Sequence, residues 1–430
     1  MADLNFETLA THAGYSSKEG CGSMAVPIYL TTAFDFGTSE EAAARFALQS
    51  LGPIYTRLNN PTVDIFEARI AALEGGVGAI GTASGQAASF YAVANVASAG
   101  DNIIMAQKVY GGTSNLMLHT LKKFGIETRV FDADSANDLE SLIDSKTKAI
   151  FVETLSNPQV AIPNFYKIIE IADKYGIISI VDNTVATPVL FQPIKKGADV
   201  VIHSASKYIS GQGLTIAGAV VSGASTNKKI VGNPRYADFN EPDESYHGLV
   251  YTNLVENFDI FTLRIRLGLL RDIGATMSPF SAWQLIQGLE TLSVRVKEHS
   301  RKTQKIAEFL ESHPAIKSVN YPGLKSSPLN KFVQENFTDG LCSGLLCFDA
   351  GSREIADAIM REVKIFAVVV NIGDSKSIIT HPASSTHSQS SDEELLSAGI
   401  TPGLIRLSVG LEDTDDLIND LKNAIEKATK

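Results

Sequence analysis

From about residue 64 to residue 223 the chain alternates segments of helical period with short apolar runs, among them 149–153, 177–182 and 199–203. Runs of that length, rich in β-branched residues, read as strands buried on both faces. The helix candidates 64–74, 112–124 and 164–175 lie between them, with Gly125 and Gly176 placed as C-terminal stops. Helices that return the chain from one buried strand to the next produce a mostly parallel α/β sheet.

At 430 residues the chain exceeds what one hydrophobic core usually serves, so two or three domains are expected. Residues 1–62 are rich in Gly, Thr and Ser with little periodicity and read as an N-terminal arm laid on another surface, a neighbouring subunit being one candidate. Residues 63–265 form the large domain. Within it, about 224–262 is a polar and aromatic insertion expected beside the active region. Residues 266–430 form a smaller C-terminal α+β domain with strand candidates at 344–349 and 404–409. There is no internal repeat.

A net charge of −11 argues against nucleic acid as a partner, because binding phosphodiester backbones needs a dominant basic face. The N-terminal residues lack the basic start of a signal peptide, and no apolar run of about 18 residues occurs, so no membrane association and a cytoplasmic location are expected. Cys21, Cys342 and Cys347 have no metal-ligand spacing, and His381 and His387 are not an i, i+4 pair, so no metal is expected.

Gly76-Val77-Gly78-Ala79-Ile80-Gly81 matches the dinucleotide fingerprint. That fingerprint must leave a strand and open a helix, so that pyrophosphate meets helix N–H groups. Here the glycines leave a helix and enter a strand, and the dinucleotide reading fails.

Two strands end in chemistry instead. The run 177–182 ends in Asp182-Asn183-Thr184, and 199–203 is followed by Ser204-Ala205-Ser206-Lys207. Open α/β sheets bind ligands at the carboxyl ends of their strands, so this acid and this lysine can converge there. Singly, Asp182 reads as a turn residue and Lys207 as a solvated charge. Jointly they match what pyridoxal 5′-phosphate (PLP) requires: a lysine for the Schiff base and an acid to keep the pyridinium nitrogen protonated. Ser204 and Ser206 offer hydroxyls to the phosphate, and Ser84-Gly85-Gln86 offers N–H groups at a helix start. Arg57, two residues after Tyr55, suits bidentate phosphate contact, and Tyr110 stands where a ring can stack on the cofactor.

These segments resemble the Cys/Met-metabolism PLP enzymes of fold type I, whose aspartate-aminotransferase-like architecture pairs a mostly parallel large-domain sheet with a smaller C-terminal α+β domain. The matching runs also include Glu153-Thr154-Leu155-Ser156-Asn157-Pro158, His381-Pro382-Ala383 and Arg406-Leu407-Ser408. The resemblance implies that Lys207 carries PLP as an imine, Asp182 pairs with the ring nitrogen and Tyr110 stacks. Ser84, Gly85, Gln86, Thr184, Ser204 and Ser206 are implied as the rest of the cofactor set. Tyr55 and Arg57 are implied to reach the phosphate of a neighbouring subunit within a homotetramer built from two active dimers. Arg406 is implied to hold the substrate α-carboxylate with Asn157 and Asn371 nearby, although Asn371 stands where many relatives have serine.

Within the family, the insertion and Lys376, where cystathionine enzymes usually carry glutamate, resemble O-acetylhomoserine sulfhydrylases. Gly112 stands where methionine γ-lyases carry cysteine. The resemblance therefore implies γ-replacement on O-acetyl-L-homoserine by a sulfur donor. Lys207 would move the protons and Tyr110 would assist. Cystathionine γ-synthase, cystathionine γ-lyase and methionine γ-lyase are the alternatives, and a non-catalytic PLP-binding protein is a remote one.

Overall fold

Seven strands form the larger sheet: β1 (Gly78–Thr82), β2 (Asn102–Ala106), β3 (Glu127–Phe131), β4 (Thr147–Glu153), β5 (Ile178–Asp182), β6 (Val200–His203) and β7 (Gly218–Ser222). They belong to a computed structural model that describes residues 4–18, 20–385 and 399–430; His387 lies outside the described residues. The strand order is β1-β7-β6-β5-β4-β2-β3, and β7 alone runs against the rest. The apolar runs singled out in the sequence, which fall in β4, β5 and β6, are almost wholly buried. Edge strand β3 is not, with Glu127 and Val130 exposed.

The helix Pro61–Glu74 shows how local sequence sets an element. Asn60 caps it by accepting from Thr62 N–H, Pro61 occupies its first turn, and Gly75 ends it in the left-handed region. Phe66, Ile70 and Leu73 are buried against the sheet. Gly125 (φ 78°) and Gly176 (φ 61°) stop their helices as expected, a conformation that costs a side-chain-bearing residue energy.

A second sheet follows, in the order β10-β11-β12-β9-β8. It comprises β8 (Ser318–Asn320), β9 (Leu345–Asp349), β10 (Ala367–Val368), β11 (Ile378–Thr380) and β12 (Leu404–Ser408). The 21-residue helix Leu292–Ser312 leads into it, and the helices Arg353–Glu362 and Thr414–Ala428 pack on each other beside it. A mostly parallel large sheet with a smaller C-terminal sheet is the fold type I arrangement.

Within the chain, Arg235 and Tyr236 of the insertion lie away from the ligand-binding edge of the sheet. The Tyr236 hydroxyl donates to Lys148 O and accepts from Ile178 N–H, and the Arg235 guanidinium donates to the carbonyls of Asp144 and Thr147. Those groups stand at the amino ends of β4 and β5. These two residues therefore close the edge of the sheet opposite the carboxyl ends, where the backbone groups of two strands need partners. Its Tyr246 hydroxyl also donates to Phe46 O of the arm, 2.8 Å away.

Candidate active site

Because all strands but β7 share one direction, the carboxyl ends of β1, β2, β4, β5 and β6 open on the same edge. There they enclose a cavity of about 270 Å³ lined by residues from 84 to 406 in the sequence.

After β1, Ser84 caps the helix Gly85–Ala94 by accepting from Ala87 N–H at 3.1 Å, so its hydroxyl is engaged with the backbone. The N–H groups of Gly85 and Gln86 in that first turn have no intrahelical acceptor. Gly85 is required by close approach: a Cβ there would lie 2.6 Å from Ser204 Cβ. The Gln86 side chain donates to Gly112 O at 2.9 Å and so ties this helix to the turn that carries Tyr110. Tyr110 is partly exposed at the mouth, and its ring leaves no room for a side chain at Gly112, where a Cβ would meet Tyr110 Cε1 at 2.5 Å.

Asp182 ends β5. Its Oδ1 accepts from Thr184 N–H at 2.9 Å, and the Thr184 hydroxyl also accepts from Ser204 N–H at 2.8 Å. Thr184 thus joins the acid's loop to the lysine's loop. Burial pushes the Asp182 carboxyl up from the ordinary range, while the Thr184 contacts and His203 pull it back. No lysine or arginine among the described residues pairs with it. The Ser206 hydroxyl is held by the backbone of Ala217, accepting at 2.9 Å and donating at 3.2 Å.

Lys207 Nζ donates to Asn371 Oδ1 at 2.7 Å. Burial, and after it the Arg406 charge, lower the affinity of this amine for its proton. Arg406, on β12, is only 3% exposed. Its guanidinium donates to Asn157 Oδ1 (2.9 Å), Asn371 O (2.9 Å) and Thr380 Oγ1 (3.1 Å), and its Nε has no partner among the described residues. A buried guanidinium with neutral partners and no carboxylate among the described residues is arranged for an anionic ligand.

Twelve of the fourteen residues expected from the sequence line this cavity; Tyr55 and Arg57 do not. Those two stack on each other, with the guanidinium 5.4 Å from the ring centre, and Tyr55 is exposed. Lys376 is not a lining residue either. Sequence reasoning missed Glu153 at the end of β4, whose carboxylate accepts from Tyr110 N–H (2.6 Å) and Asn157 N–H (3.2 Å). The signal was present, since Glu153 ends the strand next to the one that Asp182 ends. It also missed the apolar lining of Leu155, Val185, Ile216, Val370 and Ile372.

Residues 7–426 match the family described as Cys/Met metabolism PLP-dependent enzyme. The chain belongs to that family. Among Cys/Met-metabolism relatives it is 41% identical to an O-acetyl-L-homoserine sulfhydrylase of Leptospira meyeri, over 98% of this chain and 96% of that one. It is 42% identical to a homocysteine synthase of Schizosaccharomyces pombe over 99% of both chains. A crystal structure from Campylobacter jejuni, described as an O-acetylhomoserine (thiol)-lyase with N'-pyridoxyl-lysine-5'-monophosphate at its position 205, superposes with a TM-score of 0.96. It is 52% identical, over 98% of this chain and all of that one.

The Cys/Met-metabolism enzymes depend on PLP, and the cavity fits that cofactor. Asp182 is a buried carboxyl with no lysine or arginine paired to it among the described residues, which suits a protonated ring nitrogen. Open helix N–H groups at Gly85 and Gln86 suit a phosphate, and only a glycine lets them close on Ser204. Lys207 supplies the one lysine amine lining the cavity among the described residues.

Proposed function

We propose that this PLP-dependent transferase is an O-acetyl-L-homoserine sulfhydrylase that replaces acetate at Cγ with sulfide, giving L-homocysteine for methionine synthesis. The observation that carries the reading is the convergence of Lys207, Asp182 and Arg406 on one cavity, because a clamp for an amino-acid carboxylate turns a cofactor site into an amino-acid site.

Lys207 is the attachment point, Asp182 holds the ring nitrogen and Tyr110 lies against the ring. The phosphate falls to the N–H groups of Gly85 and Gln86 with Ser84, Ser204 and Ser206, while Thr184 orders the loops that carry Asp182 and Ser204. When bound, PLP supplies an electron-poor ring that accepts negative charge from the substrate's Cα. Arg406 binds the α-carboxylate, with Asn157 and Asn371 fixing the guanidinium. That contact orients Cα toward Lys207, whose hold on its proton is weakened by burial and then by the Arg406 charge, which favours its use as a base. With PLP bound, Lys207 would take the Cα proton, pass it on to the conjugated system so that its amine is free again, and then take one from Cβ; acetate would leave Cγ with the bonding electron pair, sulfide would add there, and Lys207 would return protons to Cβ and Cα. The Tyr110 hydroxyl, donor and acceptor at once, would relay a proton from the incoming amine, giving up its own proton as it receives one.

The arm, residues 1–62, extends to a second copy, so that the partner subunit's Tyr55 and the partner subunit's Arg57 complete the phosphate site, and two such dimers form a homotetramer. Exposed Met24, Leu30 and Leu51 on the arm support an apolar docking surface. Residues 63–265 are the cofactor domain and 266–430 the C-terminal domain. No helix among the described residues is long and apolar enough to cross a membrane, in keeping with a cytoplasmic enzyme.

The test is a donor-by-acceptor matrix on purified protein: acetyl-, succinyl- and phosphohomoserine against sulfide, methanethiol and cysteine, with cystathionine and methionine as lyase substrates. Homocysteine from O-acetylhomoserine and sulfide is expected. Its absence, or cleavage of methionine or cystathionine as the dominant activity, sinks the proposal.

A further inference from the structure

We propose that the side-chain carboxamide of Asn371 is the holding point of the Lys207 amine whenever that amine is free, and that it thereby sets where the reaction's proton carrier stands. The inference rests on the reading of Lys207 as the cofactor lysine and adds a positioning residue to it.

The two residues are 164 positions apart and belong to different sheets' loops, yet Lys207 Nζ meets Asn371 Oδ1 at 2.7 Å. Asn371 is itself fixed at its other end, because its backbone carbonyl accepts from Arg406 Nη2 at 2.9 Å. The same guanidinium is held by Asn157 and Thr380. One residue therefore links the carboxylate clamp to the lysine, and the distance between the bound carboxylate and the amine is set through it.

The chemistry of the acceptor matters as much as its place. A carboxamide oxygen can only accept, so it engages one N–H of the amine and leaves the nitrogen lone pair directed elsewhere. A carboxylate in that position would stabilise the ammonium and blunt the base. Lysine is otherwise a flexible chain with many rotamers, and a base that must serve Cα and then the neighbouring carbon gains from a fixed resting point between the two transfers. The charged and titratable groups facing the amine are Arg406 from β12, Asp182 from β5, Glu153 from β4 and Tyr110 from the turn after β2. None of them bonds to Nζ in the structure, so Asn371 is its single hydrogen-bond partner among the described residues.

The experiment uses the full-length enzyme stripped of PLP, with the side chain changed to Ala and, isosterically, to Asp. Lys207 is labelled with acetic anhydride across a pH series and the half-labelling pH is read by mass spectrometry. Loss of an acceptor from the ammonium in Asn371→Ala should move that pH down by about one unit, and Asn371→Asp should move it up by a similar amount. In reloaded enzyme, Asn371→Ser should lower kcat by about tenfold while KM for the amino acid stays within about twofold, because the backbone carbonyl that serves Arg406 is retained. Unchanged half-labelling pH in both Ala and Asp variants, each shown folded by its thermal melt, overturns the proposal. Should Asn371→Ala not fold, the isosteric Asp variant decides alone. Protection of wild-type Lys207 by added PLP is the separate control, and its failure sinks the cofactor role of Lys207 rather than the role of Asn371.

Discussion

Glu153 and Asp182 end neighbouring parallel strands as register partners, and the Glu153 carboxylate carries the backbone of Tyr110 while Asp182 faces the cavity. Burial raises both carboxyls, and Asp182 adds to the rise at Glu153. Two acids forced together in this way divide their tasks by partner: Glu153 accepts two backbone N–H groups, whereas Asp182 accepts from the Thr184 loop and pairs with no lysine or arginine among the described residues.

Replacing Glu153 should therefore act through Tyr110 rather than through the cofactor's ring nitrogen. In Glu153→Ala the N–H groups of Tyr110 and Asn157 lose their acceptor, a cost of about 1–3 kcal/mol for each group left unsatisfied. Thermal melts should register the loss of stability, and steady-state kinetics should show kcat reduced by about tenfold or more. A variant with unchanged melting and kcat would remove Glu153 from this role.

Arg406 lies at the centre of the substrate contacts. Arg406→Ala should raise KM for the amino acid by about 100-fold, equivalent to about 3 kcal/mol, since truncating one member of a buried charged pair costs on the order of 2–5 kcal/mol. PLP should remain bound, as judged by its visible absorption. Unaltered saturation by substrate would assign the carboxylate to another group.

Gly112 makes room for the Tyr110 ring, and any side chain there must displace it, because the added Cβ would stand 2.5 Å from Cε1. Gly112→Cys should weaken PLP affinity by about three- to tenfold, the value of one aromatic stacking contact of about 0.5–1.5 kcal/mol. Fluorescence titration of the cofactor-free protein measures it. Full affinity in that variant would show that the ring does not need its present position.

Away from the cavity, Asp64 provides a pH test of the fold. Burial, followed by Glu67, pushes its carboxyl up to about 7, with Arg266 pulling the other way. A raised pKa means that the folded chain holds the proton more tightly than the unfolded one. The stability this gives is complete below about pH 4 and is lost as pH rises through about 7. Asp64→Asn removes that loss, so the Tm difference between variant and parent should grow in the variant's favour from about pH 5 to about pH 8. A difference independent of pH would contradict the assignment.

Much of this protein was legible as sequence because the signals are local. Buried strands are short apolar runs, helix ends carry Asn60 and Gly75, and a lysine or an acid directly after a strand must fall at the sheet's ligand-binding edge once the strands are parallel. That reasoning placed Asp182, Lys207 and Ser84 around one cavity. Where Arg235 and Tyr236 of the insertion dock was not legible, because its polar, aromatic composition describes a surface without saying which one. Only the pairing of Tyr236 with the amino ends of β4 and β5 decides that.

Glu153 under Tyr110 and Asn371 against Lys207 were equally out of reach, since each contact joins segments whose separation in sequence says nothing of their separation in space. By itself the sequence located the strands that end in Asp182 and precede Lys207 and the one that carries Arg406, whereas β3, β7 and most of the second sheet, and the reversed direction of β7, were not among the runs it singled out. The tertiary structure decided which of those residues touch, because side-chain hydrogen bonds depend on strand register and on how the second sheet packs against the first. The lysine's position in the chain was local information, and the partner that holds its amine was not.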